Sequence, residues 1–327
     1  MPHRDYISFF VREHIQGFQV NAGLFTNGRK NWHKSYNYPQ LGIGWHHSGL
    51  ANHDVYGTMN AIYGYVDRYY LNRKRRFNFG NKLSLGGAFI NKKFDLETNG
   101  TNLAIGSKLN AYVSYSFESS FRISPNIDMK LGAGITHVSN GSFRQPNKGL
   151  NFLTSFTGFS YSFNKNISVE PLELEEDSSK HQFLVVACLG YKQISRKYDN
   201  SYLVEGISGE YAHVINGNSW GGAAITIYHD PSLKKEIWMD DTIRSKFNDN
   251  IRVALNLSYE LKMGHISYVF QPGVYLKNSY KKPGVISNRL SVRYQFTDRM
   301  CASFTIKAHW FAIADFFEWG IGYRWEK

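Results

Sequence analysis

The sequence predicts an all-β fold, a transmembrane antiparallel β-barrel of about 14 strands, from three observations. Apolar and polar residues alternate with period two over long stretches. Aromatic residues make up 16% of the chain, with 22 Tyr and 23 Phe, although the mean hydropathy is only -0.41. No stretch approaches the roughly 20 consecutive apolar residues of a membrane helix. A barrel spreads its apolar residues in alternation, so an aromatic-rich chain can still average out as polar.

Taken in order, Ile7 to Phe25 provides one or two strands. Pro39–Ser48 (P-Q-L-G-I-G-W-H-H-S) is ambiguous; counting it and splitting the first segment gives 16 strands, and 12 is the lower alternative. Further strands are expected near 54–67, 77–91, 107–123, 126–139, 151–164, 181–196, 201–215, 219–229, 250–262, 265–276, 287–296, 301–311 and 317–326. Within 107–123, Leu109, Ala111, Val113, Tyr115 and Phe117 share one face, and Lys108, Asn110, Ser114, Ser116 and Glu118 the other. Around Arg252 the same split sets Val253, Leu255, Leu257 and Tyr259 against Asn256, Ser258 and Glu260. The last strand sets Phe317, Trp319, Ile321, Tyr323 and Trp325 against Glu318, Arg324 and Glu326. Strands this long exceed the usual length of about 5–6 residues and match the about 9–11 of a spanning strand.

If the final strand ends on the periplasmic side, the short turns Phe121–Asn126, Leu261–His265 and Thr297–Met300 fall there too. The long connections 91–106, 140–150, 230–250 and 277–286 then lie outside. The segment 164–181 is long yet periplasmic, with an acidic run at Glu170, Glu173, Glu175, Glu176 and Asp177 that reads as a solvated loop. No linker, repeat or low-complexity tract divides the chain, so a single barrel domain over 1–327 is expected. Lys307, His309, Glu318, Arg293 and Arg324 read as a lumen network, and Asp315 as part of the final external loop.

The formal charge is +12, from 38 Lys+Arg and 26 Asp+Glu. The two cysteines, Cys188 and Cys301, provide neither a disulfide framework nor a metal cluster. No glycine loop of the phosphate-cradling kind and no metal-ligand spacing occurs, so neither cofactor nor metal is expected. The basic cluster Asn72–Arg76 falls in a periplasmic turn, and no nucleic-acid partner is expected. The N-terminus, M-P-H-R-D-Y, carries no apolar signal segment, so an exported form would have lost one or had it replaced.

One stretch carries candidate chemistry: H-V-S-N-G-S-F-R-Q-P-N-K-G-L-N, from His137 to Asn151. Residues i and i+2 of a strand share a face, so His137 and Ser139 are neighbours, as a serine nucleophile and its base must be. The preceding odd-numbered row, Ile127, Met129, Leu131, Ala133 and Ile135, is apolar, so the pair lies on the outward face. Strand parity puts Asn151 on that face too, expected opposite Ser139 and diagonal to His137. A polar trio on an outward wall near the external interface faces lipids of the outer leaflet, the substrate class such a site would meet.

The same stretch resembles the motif of the lipid A 3-O-deacylase family, the acyloxyacyl hydrolases of the outer membrane. A-I-G-S-K-L-N upstream and the aromatic strand downstream are also similar, so the specific match covers residues 104–163; the stretch K-A-H-W-F-A-I-A-D-F-F-E-W-G-I-G-Y is similar to longer members only loosely. The better-known members are small eight-stranded barrels, so this chain would be an enlarged variant. The resemblance implies an integral outer-membrane esterase that removes the 3-linked acyl chain of lipid A in lipopolysaccharide. Ser139 would be the nucleophile and His137 its general base, with Asn140 and turn N–H groups such as that of Gly141 stabilising the oxyanion. The family's third member is a Glu, and Asn151 stands in its place. A neutral Asn can orient a His but supplies no negative charge. Arg144 and Lys148, with Lys277, Lys281 and Lys282, fall in external loops and would meet the substrate's phosphates. The alternative is a passive barrel, a channel or structural outer-membrane protein, that retains the fold without hydrolysis.

Overall fold

The computed structural model describes residues 9–72, 75–163, 180–195, 200–240, 249–280, 284–310 and 313–326. The acidic run Glu170–Asp177, Lys281, Lys282, and Arg73 and Lys74 of the basic cluster lie outside the described residues. The described residues form strands β1 (Gly17–Phe25), β2 (Gln40–Gly49), β3 (Thr58–Tyr69), β4 (Phe77–Ile90), β5 (Leu109–Arg122), β6 (Ile127–Ser139) and β7 (Leu150–Tyr161). They continue with β8 (His181–Gln193), β9 (Ser201–Asn216), β10 (Ser219–His229), β11 (Ile251–Met263), β12 (Ile266–Lys277), β13 (Ile286–Gln295), β14 (Met300–His309) and β15 (Ile313–Glu326). Two short helices accompany them, α1 (Asn31–Ser35) and α2 (Ser232–Met239).

These strands do not share one sheet. The chain forms two compact units, the first from residues 1–140 and 146–173, the second from 141–145 and 174–327. The all-β, antiparallel expectation holds, and the described strands divide between a seven-stranded sheet and a closed barrel. Alternation reports that a strand has one apolar face; it does not report which strand it pairs with. The ambiguous Pro39–Ser48 segment is the strand β2, and the N-terminal segment provides the single strand β1.

The first unit is a seven-stranded antiparallel sheet in sequential order, β1 to β7. Its patterning is inverted relative to a water-soluble sheet. Ile62, Leu131, Ile135, Leu153 and Phe159 on its outer face are exposed, while Asp67, Lys82 and Glu118 are buried. Lys130 reaches Asp67 at 3.0 Å and Glu118 at 3.2 Å, and Lys82 reaches Glu118 at 2.8 Å. Pairing of this kind is what makes a buried charge tolerable. The edge strands β1 and β7 line a common cavity of about 1010 Å³, with these four charged residues among its lining. Near the loop-bearing end the interior turns apolar, and Tyr56, Met59, Ile90, Ile105, Tyr112, Val138 and Phe152 form one buried cluster. Within it the rings of Tyr63 and Tyr112 stack at 5.1 Å. A methyl group at Gly44 would lie 2.5 Å from the Tyr63 ring, so this strand position takes glycine because a side chain crosses it.

The second unit is a closed barrel, in the order β10-β11-β12-β13-β14-β15-β8-β9. Its lumen is filled by ion pairs: Arg289 with Glu318 at 2.9 Å, Arg293 with Glu210 at 2.7 Å, and Arg324 with Glu260 at 2.9 Å. The expected lumen residues Arg293, Lys307, His309, Glu318 and Arg324 are all buried in it. Asp315, expected in an external loop, lies instead in β15 and gathers Lys192 at 3.1 Å, Arg252 at 2.5 Å and Lys307 at 2.7 Å. The pentapeptide Gly141–Gln145 belongs to this unit; Ser142 Oγ donates to the Ala314 carbonyl at 2.9 Å, and the Gln193 N–H to the Ser142 carbonyl at 2.8 Å. Among the described residues of this unit, these buried ion pairs occupy the lumen. Purified protein reconstituted in planar bilayers should therefore show no conductance steps above the lipid background; steady channel currents would contradict the filled lumen.

Candidate active site

The site begins at the end of β6. Its outward row, Leu131, Ala133 and Ile135, is exposed, and the next two outward positions are His137 and Ser139. β7 enters antiparallel, with Val138 paired to Leu150 and His137 to Asn151. This corrects the expected register, in which Asn151 faced Ser139. The ladder to β7 stops at Val138, and Ser139 pairs on its other side with Ala111 of β5. The correction brings the two side chains closer. Directly opposed residues hold their Cβ atoms about 4.5–5.5 Å apart, against about 7–8 Å for diagonal ones.

The three side chains form one hydrogen-bonded row. His137 Nε2 lies 2.9 Å from Ser139 Oγ, and His137 Nδ1 lies 2.6 Å from Asn151 Oδ1. An amide oxygen only accepts, so Nδ1 carries the proton and donates to Asn151. Nε2 is then left as an acceptor for the Ser139 hydroxyl proton. That tautomer is the one a general base needs. Ser139 is buried, at 4% exposure, and His137 and Asn151 are half-buried.

The turn that follows is braced by its neighbours. The Asn140 N–H donates to Asn147 Oδ1 at 2.9 Å, and Asn140 Nδ2 to Ser107 Oγ at 2.9 Å. The Gly149 N–H donates to the Ala104 carbonyl at 3.0 Å. Gly149 has φ +67°, and a methyl group there would meet His137 Cε1 at 2.9 Å and Ser139 Cβ at 3.3 Å. Only glycine allows both this backbone and this approach to the imidazole. Asn147, Gly149, Ala104 and Ser107 are supports that the reading of the motif did not assign. Their sequence signal was present, in the N-K-G turn and in the A-I-G-S stretch of the motif's upstream neighbour.

Of the other candidates, Gly141 has φ +59° and belongs with the second unit, as does the exposed Arg144. Lys148 lies in the first unit and is half-buried. No group of three or more His, Cys, Asp or Glu suited to a metal ion occurs among the described residues.

Two family models match the chain. Residues 16–160 match the lipid A 3-O-deacylase (PagL) model, and residues 181–327 match the acyloxyacyl hydrolase C-terminal domain. No curated protein matches. Among solved structures, the chain is similar to the FrpB iron transporter from Neisseria meningitidis at 7% identity, covering 95% of this chain and 63% of that one, with a TM-score of 0.20. The chain thus spans less than two thirds of that transporter's length. A multiply substituted Rh. blastica porin is similar at 9% identity, with 96% of this chain and 99% of the porin covered and a TM-score of 0.19. The pyoverdine outer membrane receptor FpvA from Pseudomonas aeruginosa is similar at 11% identity, with 96% and 62% covered and a TM-score of 0.20.

Proposed function

The chain belongs to the lipid A 3-O-deacylase family, and we propose that it is an integral outer-membrane serine esterase that hydrolyses an acyl ester of lipopolysaccharide at the outer leaflet. The observation that carries this reading is the unbroken row Ser139–His137–Asn151 on the outward wall. The apolar residues below it on the same face would contact acyl chains.

Ser139 Oγ attacks the ester carbonyl carbon while its proton passes to His137 Nε2. The tetrahedral intermediate places negative charge on the former carbonyl oxygen, for which Asn140 would be the donor. The Asn140 N–H would exchange its resting acceptor, Asn147, for that oxyanion. Collapse breaks the bond to the sugar oxygen, which leaves with the proton held by His137. Water then attacks the acyl-serine, gives a proton to His137, and releases the fatty acid with Ser139 restored. Arg144 and Lys148 would pair with phosphates of the anionic substrate.

A second reading, a passive barrel, draws support from one observation: the group orienting His137 is a neutral amide. Mass spectrometry of lipid A from cells with and without the chain separates the two. The esterase removes the mass of one acyl group; an unchanged acyl pattern contradicts it. Asn151→Glu is expected to retain activity and to raise turnover by up to about tenfold, because a carboxylate stabilises the imidazolium that forms in the transition state. Fatty-acid release by the purified variant measures this, and a complete loss would mean that the amide itself is required.

A further inference from the structure

Beside the Ser139–His137–Asn151 row the first unit holds a groove of about 400 Å³. One wall is the head of β7, from Gly149 to Ser155. The other is the segment ahead of β1, which contributes Val11, Glu13, His14 and Ile15. Two of the lining residues touch the row itself. Asn151 Oδ1 accepts from His137 Nδ1 at 2.6 Å, and a methyl group on Gly149 would lie 3.3 Å from Ser139 Cβ. The groove therefore begins within one side chain of the nucleophile. Its second wall is strapped down. The N–H groups of Arg12 and Glu13 both donate to the Ala51 carbonyl, at 2.9 and 3.2 Å, and the Gly49 N–H donates to the Gln16 carbonyl at 3.0 Å. Ile15 packs against the apolar cluster. The strap precedes residues 16–160, the span that matches the deacylase family.

Most of the lining is apolar. Leu50, Tyr56, Leu150 and Phe152 are buried, and Leu153 lies in the outward row of β7, opposite Ile135. Glu13 and His14 of the strap are exposed. A lipid ester has a polar half and an apolar half. A sugar or phosphate would leave polar groups unpaired among these side chains, whereas an alkyl chain brings none. A second space continues from the first, because Ile15, Thr154 and Ser155 also line the cavity of about 1010 Å³ between β1 and β7. Ile15 thus stands at the junction of the two. We propose that the groove takes the acyl chain of the scissile ester, and that Ile15 sets how long a chain is accepted. A tail seated there holds its carbonyl carbon at Ser139 and aligns it for attack. The outward wall below the row is left to the rest of the lipid. This rests on the esterase reading above.

The test is hydrolysis, by the full-length protein in detergent micelles, of para-nitrophenyl esters graded in chain length from butyrate to palmitate. Wild type, I15W and I15A are compared by the ratio of kcat/KM for palmitate to that for butyrate. Taken within one preparation, this ratio does not depend on the folded fraction. I15W narrows the junction and should lower the ratio at least about tenfold, since methylenes excluded from an apolar pocket are worth that much. I15A widens the junction and should raise the ratio, with the preferred ester moving to a longer chain. An unchanged ratio in I15W overturns the inference. So does a shift of both variants in the same direction, which would mark a loosened strap rather than a gate. A ratio that moves with Ile135→Trp but not with I15W also overturns it, because the scissile chain would then lie on the outward wall. A wild-type protein that releases acid neither from these esters nor from lipopolysaccharide overturns the esterase reading itself, and this inference with it.

Discussion

Ser139→Ala lowers acyl-ester hydrolysis by at least about 10³-fold and leaves the strands folded. The loss is large because nothing else in the row replaces the oxygen that forms the acyl-enzyme. The folding cost is small because the substitution removes a hydroxyl whose hydrogen bond to His137 contributes about 1 kcal/mol. The chain keeps its β6 pairing, which runs through backbone groups. Two measurements separate these effects: fatty-acid release from lipopolysaccharide, and resistance of the detergent-solubilised protein to urea. Release by Ser139→Ala at a tenth of the wild-type rate or better would remove the serine from the mechanism.

The largest stability effect is expected in the second unit. Arg289 donates to Glu318 at 2.9 Å and to Gln271 at 2.9 Å in a lumen where both charges are buried. Glu318 otherwise accepts from the Tyr228 hydroxyl at 2.8 Å. Arg289→Met fills much of the same volume but strips the carboxylate of its counter-charge. The cost is about 3–5 kcal/mol, as when one partner of a buried pair is removed. Arg289→Met combined with Glu318→Gln should recover most of that loss, because no unpaired charge remains. Urea unfolding followed by tryptophan fluorescence gives both values. Equal destabilisation by the single and double variants would show that the loss comes from packing rather than charge.

Much of the strand content was legible before any coordinates, because period two is a direct readout of a sheet with one apolar face. The outward side of His137 and Ser139 followed from the same parity. Partnership was less legible. The sequence marks 126–139 and 151–164 as strands, yet whether Asn151 meets Ser139 or His137 depends on the register of β6 against β7, which alternation alone does not give. The division into a seven-stranded sheet and a closed barrel was hidden for a similar reason, since a strand's pattern is the same at an edge or within a barrel. Asp315 was misplaced because two of the cations it gathers, Lys192 and Arg252, are remote in sequence, and buried charge pairs leave no local trace.

The direct opposition of His137 and Asn151 across the β6–β7 ladder makes the site a gauge of the sheet's own assembly. A slip of β7 by one residue turns its apolar row to the wrong side and withdraws Asn151 from the imidazole in the same movement. A slip by two residues preserves the apolar face and still separates the pair. On the proposed mechanism, hydrolysis would be confined to chains whose strands have zipped in the native alignment. A misfolded intermediate would not damage the lipid around it, and appearance of activity would time the completion of folding.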